Sequence, residues 1–188
     1  LLQYLGCTVM EVPRTEADDV IAMICHRYPG NVLVHTRDLD LVPLATLPNT
    51  MVMWQEKLVD PLEPVHLQAE EVDLLAKHVV LFKTLVGDKS DEYGGVSGVG
   101  PKAWLYLVEK YGHEGLAEIE KAIIANTPED VLEAAQLYGD KVLLKIHQQW
   151  EQARMCHRLA TLHPEWCWSA FGGKLMRPIY HKRLPLPI

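Results

Sequence analysis

Three short stretches of this 188-residue chain bring carboxylates together at spacings that can do chemistry. Glu16, Asp18 and Asp19 fall in what reads as the first turn of a helix, where acids also complement the helix dipole. Thr36-Arg37-Asp38-Leu39-Asp40 follows an apolar run. Residues two apart on extended backbone point to the same side, so Asp38 and Asp40 are expected to face one place. Gly87-Asp88-Lys89-Ser90-Asp91 leads into a glycine-rich stretch, where Asp and Gly also serve as ordinary turn residues. Each patch alone has a plain structural explanation. Together they are more informative. Two like charges at 4 Å cost roughly 4 kcal/mol at an effective dielectric of about 20, so seven converging carboxylates need compensation. Divalent cations supply it. An all-oxygen set without His or Cys suits Mg²⁺ or Mn²⁺. Two such ions roughly 3.5–4 Å apart clamp a phosphodiester and stabilise its attacking and leaving oxygens.

The second candidate is Gly94-Gly95-Val96-Ser97-Gly98-Val99-Gly100-Pro101-Lys102. Glycines let backbone approach a ligand, amides at a helix start favour an anion, and Lys102 adds charge. A tight loop that needs positive φ explains the same glycines. The stretch is not a Walker A motif, because it lacks the GK[ST] ending. With a helix before and after it, it forms a hairpin suited to gripping nucleic-acid phosphates without reading bases.

Elements must position these groups. Leu1–Leu5 reads as a helix end stopped by Gly6, and Cys7–Val12 as a strand. Thr15 is the expected N-cap of a helix reaching about Tyr28. Val32–Thr36 reads as a strand buried on both faces and Thr50–Gln55 as another, which gives a parallel α/β unit. A long helix is expected over Gln68–Val86, then the loop, then helices over 101–111, 114–125, 128–138 and 140–162. The division that follows is an α/β portion over residues 1–60 and a helical portion over 61–188. The hairpin lies at about 68–112.

Composition bounds the function. No apolar run reaches 18 residues, so no membrane-spanning helix is expected. The formal net charge of −7 argues against indiscriminate nucleic-acid binding, yet the charge is uneven. Residues 1–140 hold 10 Lys/Arg against 23 Asp/Glu, and residues 141–188 hold 8 against 2. Cys7, Cys25, Cys156 and Cys167 form no CxxC or zinc spacing and read as reduced thiols of a cytoplasmic protein. None of the nine histidines forms an HxH or HxxxH pattern, so they read as structural or surface residues. Trp150, Trp166 and Trp168 read as core rather than base-stacking residues. Lys141 and Lys145 fall on the opposite side of one straight helix from Arg154 and Arg158, so a single phosphate track requires a break in that helix.

The order and content of Glu16-Ala17-Asp18-Asp19-Val20-Ile21, Thr36-Arg37-Asp38-Leu39-Asp40-Leu41 and Leu85-Val86-Gly87-Asp88-Lys89-Ser90-Asp91, running into Gly95–Ala103, resemble the 5′ nuclease family. That family covers bacterial polymerase I 5′-exonuclease domains, bacteriophage 5′–3′ exonucleases and, more distantly, flap endonucleases. The resemblance covers roughly residues 1–112. It implies a partial Rossmann-like (PIN/5′ nuclease) parallel sheet followed by a helix–three-turn–helix DNA-binding region. It implies that Glu16, Asp18 and Asp19 serve a first Mg²⁺ or Mn²⁺, and that Asp38, Asp40, Asp88 and Asp91 serve a second. Gly95, Gly98, Gly100 and Lys102 would contact DNA, and the backbone of Val96 and Val99 would hold K⁺. The implied substrate is DNA with a flap, nick or 5′ end, and RNA in hybrids. The implied location is the nucleoid, or host cytoplasm for a viral protein. The family's N-terminal Asp motifs and helical arch have no counterpart before Leu1. The chain is therefore expected to be the C-terminal portion of such an enzyme, completed by a missing segment or a second polypeptide, and weak or inactive alone. The competing reading is a non-catalytic DNA-structure-binding module with a residual metal site. A phosphatase-like role for Asp38 and Asp40 is weaker, because their strand is internal rather than first.

Overall fold

The computed structural model describes residues 9–165, apart from 11, together with residue 167. The expected helix end at Leu1–Leu5, half of the strand expected at Cys7–Val12, Trp166, Trp168 and the basic tail lie outside the described residues, and Val9, Met10 and Val12 are not in a strand. The elements run α1 (Ala17–Arg27), β1 (Val32–Thr36), a 3₁₀ helix (Leu39–Thr46), β2 (Thr50–Trp54), β3 (Lys57–Leu58), β4 (Val65–Leu67), β5 (Val72–Leu74), a 3₁₀ turn (Ala76–His78), α2 (Val79–Val86), α3 (Pro101–Ala125), α4 (Pro128–Tyr138), α5 (Lys141–Gln148) and α6 (Trp150–Ala160). The fold is mixed α/β, a small sheet leading into a helical region.

β1 and β2 pair in parallel, Val34 opposite Val52 and Thr36 opposite Trp54, and β3 adds to β2 antiparallel. The 3₁₀ helix Leu39–Thr46 makes the crossover and packs on β2, burying Leu41, Val42 and Leu44. β1 departs from the expected two-sided burial. Val34 is buried, while Leu33 is 54% exposed beside Met51 at 47%. The sheet's described packing lies on one face, so period-2 alternation reappears in an apolar run.

The helix expected over Gln68–Val86 is much shorter. Val65–Leu67 and Val72–Leu74 form an antiparallel hairpin, with Glu71 at φ 53° in its turn. The alternation Val72-Asp73-Leu74 buries Val72 and Leu74 and exposes Asp73, which is strand chemistry. Helix begins only at Val79. α1 is capped by Glu16, not Thr15, and no side chain makes the cap bond.

α3 contains a break at Gly112, whose φ of 63° and ψ of −172° only glycine accepts readily, so the expected stop there is real although helix resumes at once. The single helix expected over 140–162 is two, separated at Gln149 (φ −116°, ψ 37°). One hydrophobic cluster runs from Ala22 and Val34 through Leu74 and Leu85 to Trp104, Leu116 and Ile146, so sheet and helices share a core. Cys25, Cys156 and Cys167 are buried free thiols.

Candidate metal centre and its adjoining loop

The second acidic patch begins where β1 ends. The indole N–H of buried Trp54 donates to the Arg37 carbonyl at 3.1 Å and fixes the strand end. Asp38 N donates to Thr36 Oγ1 at 2.9 Å, and Asp38 Oδ1 accepts from Asp40 N at 3.0 Å. Asp38 is thus the N-cap of the 3₁₀ helix and Asp40 lies in its first turn. The two carboxylates share this corner through the cap, not through the extended backbone expected.

The third patch follows α2. Gly87 ends that helix at φ 91°, and Asp88 exchanges two backbone hydrogen bonds with Tyr93 at 2.9 and 3.0 Å. Inside this closed loop Asp88 Oδ1 accepts from Ser90 N at 2.7 Å. Val96 N reaches back to the Leu85 carbonyl at 2.9 Å, satisfying an acceptor of the helix end. Gly95 has φ 51°, and a Cβ there would lie 2.5 Å from Gly87 N. Loop and helix end therefore touch backbone to backbone, which only glycine permits.

These corners meet. Asp40, Asp88 and Asp91 each present a carboxylate oxygen within 4.8 Å of the others. Between them stands Lys83, the single charged residue of α2 and 5% exposed. Its ammonium pairs with Asp40 and Asp88 and lies 3.8 Å from Asp91 Oδ2. Nothing in the acid spacing pointed to Lys83. The signal available was a lone lysine in an otherwise apolar Val79–Val86. Burial raises the Asp40 carboxyl to about 6, with Lys83 opposing and Asp38 and Asp91 adding to the rise. Burial pushes Asp88 the same way, yet its bonds from Lys83 and Ser90 bring it below the usual carboxylate range. Burial opposes the Lys83 charge, and its bonds to Asp40 and Asp88 more than restore it, so the ammonium is held. The Tyr93 hydroxyl is buried without a partner, and burial together with Asp88, Asp40 and Asp91 raises its pKa.

The first patch divides. Asp18 is raised by burial and then by the charges of Asp38, Glu16, Asp19 and Asp91, so it lies within electrostatic reach of both other patches. Glu16 is exposed at the cap of α1. Asp19 is 8% exposed, and its Oδ1 accepts from His163 N at 2.7 Å, which ties α1 to the chain after α6. That bond commits one Asp19 oxygen away from the triad.

A cleft of about 1480 Å³ joins Asp38 and Asp88 to the glycine loop. Asp38, Lys83, Asp88, Tyr93, Gly100 and Lys102 all line it. Gly100 caps α3, and exposed Lys102 sits in the helix's first turn. The loop is braced from the α5–α6 break. Ser97 N donates to Gln149 Oε1 at 2.9 Å, and Gln149 Nε2 donates to the Ser97 carbonyl at 3.0 Å. Lys145 Nζ donates to the Gly98 carbonyl at 3.0 Å. Gly98, at φ 77°, has no room to spare there. Val99 N donates to the Val96 carbonyl at 2.9 Å. Three successive carbonyls, Val96, Ser97 and Gly98, thus already carry protein donors, one an ammonium. Of the two carbonyls expected to hold K⁺, those of Val96 and Val99, the first already accepts one protein donor, Val99 N. The triad's donors, by contrast, are all oxygens and close together, which suits a hard divalent cation, although the Lys83 ammonium already offsets part of their charge.

The comparisons agree with the sequence resemblance. No family model matches the chain. Over 149 residues it is 31% identical to the thermostable DNA polymerase I of Thermus thermophilus, a stretch covering 78% of this chain and 17% of that protein. It is 30% identical to DNA polymerase I of Bacillus caldotenax over 168 residues, 86% of this chain and 17% of that one. It is 30% identical to the 5′-3′ exonuclease of Aquifex aeolicus over 119 residues, covering 60% of this chain and 39% of the relative. The chain thus spans well under half the length of these curated relatives. Among solved structures, a mutant of T5 5′-exonuclease aligns with 89% of this chain and 62% of its own, at 18% identity and a TM-score of 0.46. The chain is a 5′ nuclease homologue.

Proposed function

We propose that the chain is part of a divalent-metal-dependent 5′ nuclease that hydrolyses DNA phosphodiesters. The observation that carries this is the shared cleft: Asp38 and Asp88, from two separated corners, and the start of α3 open on one space. Asp40, Asp88 and Asp91 would hold one ion, and Asp18 with Glu16 and Asp38 the approach to a second. Asp19 serves chiefly to fasten α1. Bound there, a divalent ion would polarise the scissile phosphate and lower the pKa of attacking water. The chain's own residues do the rest. Gly98 and Gly100 border the cleft and let the backbone lie close to a DNA phosphate, Gly95 instead packs on the end of α2, and Lys102 attracts the phosphate. Gln149 and Lys145 hold that loop in shape before substrate arrives. Such contacts read the sugar–phosphate backbone and suit DNA with a nick, flap or 5′ end.

A second reading is DNA binding without cleavage. The Lys83 ammonium inside the triad and the engaged Asp19 favour it. Mn²⁺-dependent cutting of a 5′-labelled flap or nicked duplex decides between them. Asp38→Asn and Asp91→Asn should each remove cleavage by at least about a hundredfold while DNA binding stays measurable. Binding with no cleavage in any metal supports the second reading, and near-normal rates in both variants refute the first.

A further inference from the structure

We infer that Lys83 is a built-in counter-cation that competes with a divalent ion for Asp40 and Asp88, and so weakens metal binding while holding the three carboxylates together. The inference rests on reading the triad as a metal site. Its basis is a coincidence of partners. The three carboxylates within 4.8 Å of one another are the same three that surround the Lys83 ammonium. The oxygen Asp40 offers to Lys83 is Oδ1, and Asp88 offers Oδ2 while its Oδ1 is held by Ser90. A divalent ion entering the triad must draw on these oxygens or sit beside a fixed positive charge.

Lys83 cannot swing away freely. It is 5% exposed on a helix whose Leu81, Phe82 and Leu85 are buried. No other cation pairs with Asp40 or Asp88 among the ion pairs of the described residues. Without Lys83 the three carboxylates would repel one another across a partly dry corner. With it, they are assembled before any metal arrives, and the ion must displace or tolerate the ammonium.

Mn²⁺ titration of the whole chain, followed by electron paramagnetic resonance and calorimetry, tests this without any activity readout. Lys83→Met should bind Mn²⁺ at least about tenfold more tightly than wild type, because a positive charge has left the site. Its melting temperature should be lower than wild type without metal and should rise further on Mn²⁺ addition. Lys83→Arg keeps the charge and should stay within about threefold of wild type. If wild type binds Mn²⁺ and Asp91→Asn weakens it, yet Lys83→Met binds equally or more weakly, the inference is wrong and the metal reading stands. If neither wild type nor Lys83→Met binds Mn²⁺, the metal reading fails and takes the inference with it. Should Lys83→Met fold only in the presence of Mn²⁺, Lys83→Gln, which removes the charge and keeps polar contact with Asp40 and Asp88, takes its place, and an affinity no tighter than wild type overturns the inference.

Discussion

His78 shows how far a single residue can set a solution property of this chain. It is 2% exposed, both ring nitrogens lack partners, and it stacks on His113 with centroids 5.1 Å apart. Burial, reinforced by the charges of Lys77 and His113, lowers its pKa to about 4. The unfolded chain takes up this proton near pH 6.5 and the folded chain only near 4, so stability declines as pH falls through that interval. The loss reaches about 3 kcal/mol at its end. His78→Phe should flatten this part of the profile, because it removes two orphaned polar atoms and keeps a stacking ring. Denaturant unfolding at several pH values between 4 and 7 measures it, and an unchanged slope rejects this role for His78. A histidine with no metal-like spacing gave no hint of this in the sequence, since its isolation depends on Trp104 and His113 folding over it.

At the scale of elements, the same distinction separates what was readable from what was not. β1, β2, the glycine loop and the Gly112 stop follow local rules: β-branched runs, positive φ and a helix breaker. The hairpin Val65–Leu74 was hidden because two three-residue strands carry too few periods to outweigh a helical-looking neighbourhood. The break at Gln149 carried no Gly or Pro. Its cause is tertiary: Gln149 turns its amide onto Ser97, 52 residues away.

Two element-scale predictions follow from the joints. Asp140 caps α5 through Val142 N and Leu143 N, and its other oxygen accepts from Tyr106, Lys110 and Tyr111. Burial alone would raise its pKa, and these bonds bring it well below the usual carboxylate range. Its contribution is therefore full above about pH 4 and fades as acid protonates it. Asp140→Ala should cost about 3 kcal/mol at neutral pH, with the gap to wild type shrinking below about pH 4. At the loop, Gly95→Ala should cost at least about 2 kcal/mol in thermal or denaturant unfolding, because its Cβ would meet the backbone of Leu85 and Gly87. Wild-type stability in either variant would refute the joint concerned.

Over the whole molecule, the candidate site was readable as residues and not as geometry. The seven acids, the loop glycines and Lys102 stand out by type and order. Their division was not visible: Asp40, Asp88 and Asp91 draw together around Lys83, Asp18 stays within electrostatic reach, and Asp19 turns to His163. That arrangement depends on one core joining the sheet to α2. No helix among the described residues is long and apolar enough to cross a membrane. A site assembled from three distant segments makes a correspondingly sharp claim about where a cation goes.

Backbone amide resonances under substoichiometric Mn²⁺ test that claim most directly, since a paramagnetic ion broadens nuclei near it wherever they fall in sequence. Signals of residues 16–18, 38–41 and 88–91 should broaden together, ahead of those in α4. Broadening confined to one of these stretches, or spread evenly over the exposed acids, would contradict a shared metal centre.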